Sequence, residues 1–229
     1  MEGNKAVQRN PELIVMLTYN DLTVENAFEI FDGCKNSRAE FFGAKEKSLP
    51  FEKMKKLYSC MQSSGKKTVL EVVSYSEKEG LDGAKMAADL GAEILMGTFF
   101  FDSINNFCIS HGLKYMPFVG NVRGRPSVLD GEIDSIISEA QSYIEKGAWG
   151  IDLLGYRYTG NPYELNKKFV EKIDAPVCIA GSVDSYQRLS EIKKINPWAF
   201  TIGSAFFEKK FGESFPEQIN KVDKYISSF

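Results

Sequence analysis

The chain has 229 residues, 43% hydrophobic and 26% charged, with a formal net charge of −3. That is enough for one well-packed domain, and the lysines are interspersed with acids rather than massed, so the sequence lacks the electrostatic footprint of a nucleic-acid or anionic-membrane binder. No apolar run approaches the roughly 18 residues of a membrane span, and the polar start MEGNKAVQRNPE has no apolar signal core, which points to the cytoplasm.

Taken in order, apolar runs alternate with amphipathic ones. After a polar leader over 1–12, Leu13–Leu17 reads as a strand, followed by Thr18-Tyr19-Asn20-Asp21. Val24, Ala27, Phe28 and Phe31 share a helical face. Ala39–Ala44 is a second strand, running into Gly43-Ala44-Lys45, and Pro50 opens a helix striped by Phe51, Met54, Tyr58 and Met61. Thr68–Ser74 is a third strand with one charge, Glu71. Ser76 and Glu79 form a capping box for an Ala-rich helix. Strand four spans 93–96, a helix covers 102–110, and strand five spans 113–119.

A long polar connection, Gly120–Asp130, contains Arg123 and Arg125. Ile133, Ile136, Ile137, Ala140, Tyr143 and Ile144 make the clearest helical stripe. Strand six, Trp149–Leu154, carries Asp152 in its middle, and Arg157 lies in the loop beyond it. Asn161-Pro162 caps helix six. Ala175–Ala180 ends at Gly181-Ser182, a helix follows to Ile195, and Trp198–Ile202 ends at Gly203-Ser204. A last helix covers 216–226.

Eight apolar strands alternating with eight helical patterns, without a linker, predict one α/β domain: a single (βα)8 barrel over 1–229. The turn after strand one lacks a G-x-G-x-x-G, which argues against a dinucleotide fold. In such barrels the active site lies at the carboxyl ends of the strands, and the loops after strands seven and eight often hold phosphate. Gly181, Ser182, Gly203 and Ser204 are therefore the candidate phosphate site. Glycine lets main-chain amides approach an anion, and the serines add hydroxyl donors.

Lys45, Glu71 and Asp152 are the candidate catalytic residues. A carboxylate inside a barrel strand must be paired or in use, because burying it alone is costly. Either Glu71 or Asp152 would act as base while Lys45 steadies developing negative charge; the competing interpretation is a structural bridge between a carboxylate and Lys45. A one-residue slip of strand two would turn Glu40 inward in place of Lys45. Arg123, Arg125 and Arg157 are candidate substrate-binding residues, and the 121–130 segment is a candidate lid. His111, the one histidine, sits beside a helix-ending glycine, so neither a metal site nor a cofactor is expected. Cys34, Cys60, Cys108 and Cys178 are spaced as small core residues.

Ile179-Ala-Gly-Ser-Val183 and Phe200-Thr-Ile-Gly-Ser-Ala205 resemble the phosphate motif of the ribulose-phosphate-binding barrels. That family includes the histidine- and tryptophan-biosynthesis isomerases and N-acetylmannosamine-6-phosphate epimerase. Gly155-Tyr-Arg-Tyr-Thr159 is similar to a Gly-Tyr-Thr stretch after strand six of the epimerase, so the resemblance covers about residues 149–207. It departs from the epimerase at Ala180, where that family carries glutamate, and on strand three, where Glu71 stands and a catalytic lysine is lacking. The expectation is a metal-independent isomerase or epimerase of a small phosphorylated sugar or sugar acid, working through an enediolate. The alternatives are a lyase (decarboxylase or aldolase) on a phosphorylated keto acid, and a non-catalytic phosphometabolite-binding barrel. A homo-oligomer is compatible with all three.

Overall fold

The computed structural model describes residues 10–228. Most of the expected polar leader lies outside them, and Glu12 already belongs to the first strand. Eight parallel strands form the barrel: β1 (Glu12–Met16), β2 (Phe41–Lys45), β3 (Lys67–Val72), β4 (Ile94–Gly97), β5 (Lys114–Met116), β6 (Ile151–Leu153), β7 (Val177–Ile179) and β8 (Ala199–Ile202). Their order is β6-β7-β8-β1-β2-β3-β4-β5. Between β5 and β6 the ring is closed by main-chain bonds, Trp149 N–H to Tyr115 O and Asp152 N–H to Pro117 O, each 3.0 Å. The fold is the expected (βα)8 barrel.

Helices α1 (Ala27–Cys34), α2 (Phe51–Ser63), α3 (Glu77–Asp89), α4 (Asp102–Ser110), α5 (Ile133–Glu145), α6 (Pro162–Lys172) and α7 (Tyr186–Ile195) cover the strands. A single turn, α8 (Ser204–Phe207), and the long α9 (Phe215–Ser227) finish the chain. The caps fall where sequence places them: Ser76 accepts from Glu79 N–H and Asn161 from Glu164 N–H. Val24 precedes α1, so its stripe starts a turn later than the spacing predicts.

Strand pleating divides the apolar residues into two cores. Ile14, Met16, Phe41, Val69, Ile94, Met96, Met116, Cys178 and Ala199 fill the barrel. The opposite faces pack against the helices, with Val15, Phe42, Leu70, Leu95 and Phe200 fully or almost fully buried. Cys34, Cys108 and Cys178 are buried, and burial pushes the first two thiols up to about 12, as expected of unreactive core residues. Cys60 is half-buried.

Two short antiparallel hairpins cross the carboxyl-end rim. One pairs Thr18–Tyr19 with Leu22–Thr23, and the other pairs Asn121–Arg123 with Val128–Asp130. The second replaces the open polar loop that composition alone suggests. Val122 and Leu129, opposite each other in it, are buried.

Candidate active site

β2 and β3 pair with Lys45 opposite Glu71, so both side chains leave the sheet on the same, inward face. Strand two therefore points Lys45 inward, and Glu40 lies before the strand, paired with Lys67 at 2.9 Å. Lys45 Nζ is 2.9 Å from Glu71 Oε1 and makes a second, short contact to Asp21. The lysine and both carboxylates are almost fully buried. Burial alone would depress the lysine, but Glu71 and Asp21 outweigh it and hold the ammonium above its usual value.

Asp21 is the residue sequence reasoning passed over. It sits in a two-residue turn with Asn20, at φ 66° and 48°, the left-handed pair that a tight hairpin demands. Thr23, two residues on, bonds both main-chain groups of Lys45 at 2.8 Å, accepting from its N–H and donating to its C=O. The hairpin is thus stitched to the end of β2, and its turn swings Asp21 over the ammonium. The Asn-Asp dipeptide was a legible turn signal; its contact with Lys45 was not.

Asp152 lies deeper, at 1% exposure, with no hydrogen-bond partner for either oxygen among the described residues. Burial, reinforced by Glu71, pushes its carboxyl well above the usual range. Lys45 and Arg157 pull more weakly the other way.

One cleft of about 150 Å³ opens over this cluster. Asp21, Lys45 and Glu71 line it together with Gly181, Ser182, Gly203, Ser204 and Arg157. Among the described residues, nothing accepts from the amides of Gly181 and Ser182. Both residues are left-handed, at φ 83° and 54°. A Cβ on Gly181 would stand 2.8 Å from Arg157 Cγ, and one on Gly203 would stand 2.8 Å from Thr18 Oγ1 and 3.0 Å from Thr18 O. Glycine is favoured at the first corner by its left-handed backbone and at the second by the close Thr18 main chain.

Thr18, Thr201, Asp184 and Glu208 complete the polar lining and were not singled out from sequence. The two acids are matched by neighbouring cations, Asp184 by Arg188 at 3.0 Å and Glu208 by Lys210 at 3.5 Å. Lys45 is already engaged by Glu71 and Asp21, which leaves Arg157 as the lining cation with no carboxylate within ion-pair distance among the described residues.

The other two arginines are placed differently. Arg125 reaches back over the rim to Glu46 (2.7 Å), Val73 O (2.9 Å) and Asp21 (3.4 Å). Arg123 is not brought to the cleft: its side chain is 69% exposed and pairs with Asp130 at 3.3 Å across its own hairpin. His111 stacks on Phe107 at the end of α4.

Fold and cleft together define a (βα)8 barrel with a polar site at the carboxyl ends of its strands. No protein-family model matches the chain, and no curated protein matches it in sequence. Solved structures match it in fold. Orotidine 5'-phosphate decarboxylase from Lactobacillus acidophilus superposes with a TM-score of 0.67 at 15% identity, covering 96% of this chain and all of the other. N-(5'-phosphoribosyl)anthranilate isomerase from Pyrococcus furiosus gives 0.65 at 13%, covering 94% and 98%. N-acetylmannosamine-6-phosphate 2-epimerase from Clostridium perfringens gives 0.63 at 11%, covering 85% and 86%. These likenesses establish the barrel. They span a decarboxylase, an isomerase and an epimerase, and so do not select a reaction. No helix among the described residues is long and apolar enough to cross a membrane.

Proposed function

We propose that the protein is an enzyme acting on a small phosphorylated sugar or sugar acid, an isomerase or epimerase working by proton transfer. One observation carries this: the two glycine–serine corners and the Lys45–Glu71 pair line the same cleft. The amides of Gly181 and Ser182, with the Ser182 and Ser204 hydroxyls, would hold the phosphate, and Arg157 would offset its charge. The carbonyl end of the substrate would then lie toward Lys45.

In this reading Glu71 takes the proton from the carbon beside the carbonyl. The electron pair moves onto the carbonyl oxygen, and the Lys45 ammonium faces the resulting oxyanion. Once the hydroxyl proton on the carbon that lost its hydrogen has passed to that oxyanion, Glu71 returns the carbon-bound proton to the former carbonyl carbon, which completes an isomerisation. Asp152 is 1% exposed and does not line the cleft, whereas Glu71 does, which supports Glu71 as the base.

A lyase is the second reading, and the geometry divides it. An aldolase forming a Schiff base needs Lys45 as a free amine, whereas two carboxylates hold it as an ammonium. Loss of CO2 to the same stabilised carbanion needs no free amine and stays open.

The test has two arms. In a thermal-shift screen, phosphorylated sugars should stabilise the protein and their unphosphorylated forms should not; a ligand at 100 times its Kd adds about 2.7 kcal/mol. A stabilising ligand incubated in D2O should exchange its carbon-bound proton, seen by NMR, in the wild type and not in Glu71→Gln. Binding with neither exchange nor loss of CO2 in the wild type would leave the non-catalytic barrel as the correct reading.

A further inference from the structure

We propose that Asp21 is a positioning residue shared by two parts of the site: it fixes the charge and aim of Lys45, and it anchors the 121–130 hairpin over the barrel mouth. This deepens the reading above by naming what governs Lys45, and it rests on contacts that need no substrate.

The geometry is that of a hub. One Asp21 oxygen contacts Lys45 Nζ, and the other lies 3.4 Å from Arg125 Nη1. Its side chain is 5% exposed, so neither contact is an incidental surface pair. The turn holds Asn20 and Asp21 in the left-handed pair of a tight hairpin, which fixes where the Asp21 side chain leaves the chain. Thr23 secures the hairpin through the Lys45 main chain.

Arg125 belongs to the far hairpin, 104 residues along the chain. Tyr75 Oη secures the same hairpin, 2.8 Å from Gly124 O and 2.9 Å from Ser127 Oγ. Arg157, which lines the cleft, reaches Ser127 O at 3.4 Å. The hairpin is therefore a clasped strap, and one of its clasps is a carboxylate that also serves the reaction centre. Glu46 and Val73 O hold Arg125 more closely than Asp21 does, so Asp21 is the weaker clasp for the strap and the stronger partner for the lysine.

Two chemical readouts test this without turnover. The strap contains one tryptic site in use: cleavage after Arg123 is open, whereas Pro126 blocks cleavage after Arg125. Lys45 is read by acetylation with N-hydroxysuccinimidyl acetate at pH 8.5, quantified by peptide mass spectrometry on protein checked for folding by circular dichroism. Losing one close carboxylate raises the free-amine fraction about tenfold or more, so Asp21→Asn should speed Lys45 acetylation by that factor. Arg125→Gln keeps Asp21 on the lysine, so it should leave acetylation at the wild-type rate. The same variant should accelerate cleavage at Arg123 about tenfold, because charged hydrogen bonds are lost from the closed strap. Asp21→Asn should fall between it and the wild type in cleavage.

Equal acetylation of Asp21→Asn and wild type overturns the lysine half of the proposal. Equal acetylation of the two variants overturns it as well, since access alone would then explain the rate. Unchanged cleavage in Arg125→Gln overturns the strap half, even if Asp21→Asn fails to fold.

Discussion

Both ends of the barrel set lysine against glutamate, at nearly the same separation and in opposite surroundings. At the amino end, Lys67 lies 2.9 Å from Glu40 and Lys114 lies 2.7 Å from Glu93, with every side chain more than a third exposed. Each lysine also covers an aromatic ring, Lys67 on Phe41 at 4.9 Å and Lys114 on Trp149 at 5.0 Å. Beneath them Phe41, Trp149 and Trp198 meet edge to face and plug the barrel. At the carboxyl end, Lys45 lies 2.9 Å from Glu71 with side-chain exposures of 7% and 11%. Distance does not separate the two ends; solvent does. Exposed pairs contribute about 0–1 kcal/mol, and a buried pair is no better than apolar packing once desolvation is counted. A fold that needed only closure would plug both ends with aromatics. The carboxyl end carries buried charge instead, and the proposed chemistry rests on that contrast.

The largest effect should come from breaking the buried pair on one side only. Lys45→Met keeps the volume, strands the buried Glu71 and leaves Asp21 only its 3.4 Å contact to Arg125, which costs about 3–5 kcal/mol. Urea unfolding at pH 7 measures it, and a loss under 1 kcal/mol would place the two ends in one class. The wild-type contribution also has a pH signature. Because the folded protein holds the Lys45 proton more tightly than the unfolded chain, that stability is fully present below the ordinary lysine value of 10.5 and is lost as pH climbs through the raised one.

How much of this was legible depends on whether the signal was local. Each strand is an apolar run closed by glycine or a polar turn, and the caps at Ser76 and Asn161 are three-residue patterns, so the barrel could be read directly. Lys45 and Glu71 were legible because charge at an inward strand position is anomalous wherever its partner lies. Asp21 was not, since it reads as an ordinary turn residue and acquires its role only through a hairpin folded onto β2. The 121–130 strap was hidden by its length: three-residue strands with one buried residue each, Val122 and Leu129, give no periodicity. Arg123 and Arg125, two apart, would share a face of an unbroken strand, but the strand ends at Arg123 and the turn beginning at Gly124 (φ 79°) sends Arg125 to Glu46 and Asp21.

The second effect probes the other part of the same cleft. Gly203→Ala would press a methyl group against the Thr18 main chain, and Gly181→Ala would force alanine into left-handed backbone against Arg157, each costing about 1–2 kcal/mol. Under the phosphate reading both should also weaken a phosphorylated ligand more than tenfold by calorimetry. Stability loss with unchanged affinity would move the anion elsewhere.

Asp152 sharpens the contrast from below. Its folded carboxyl binds a proton more tightly than the unfolded one, so it adds nothing at low pH. It becomes a growing penalty as pH rises from the ordinary aspartate range toward its raised value. Asp152→Asn removes that penalty and should raise Tm at pH 7 by a few degrees, about 1 kcal/mol, with the gain vanishing near pH 3. A fall in Tm at pH 7 would mean that the ionised carboxylate is needed where it is.

The smallest effect completes the comparison at the amino end. Lys67→Met removes an ion pair at the same 2.9 Å as Lys45–Glu71, yet both Lys67 and Glu40 stay reachable by water. Glu40 is rehydrated rather than stranded, and the methionine chain still covers Phe41, so stability should change by less than about 1 kcal/mol. That small change should shrink further in 1 M salt, where screening reaches exposed charges, while the Lys45→Met deficit persists because salt does not enter a buried site. If salt erased both deficits alike, the carboxyl-end cluster would be a solvated pair, and the argument that its burial signals catalysis would fail with it.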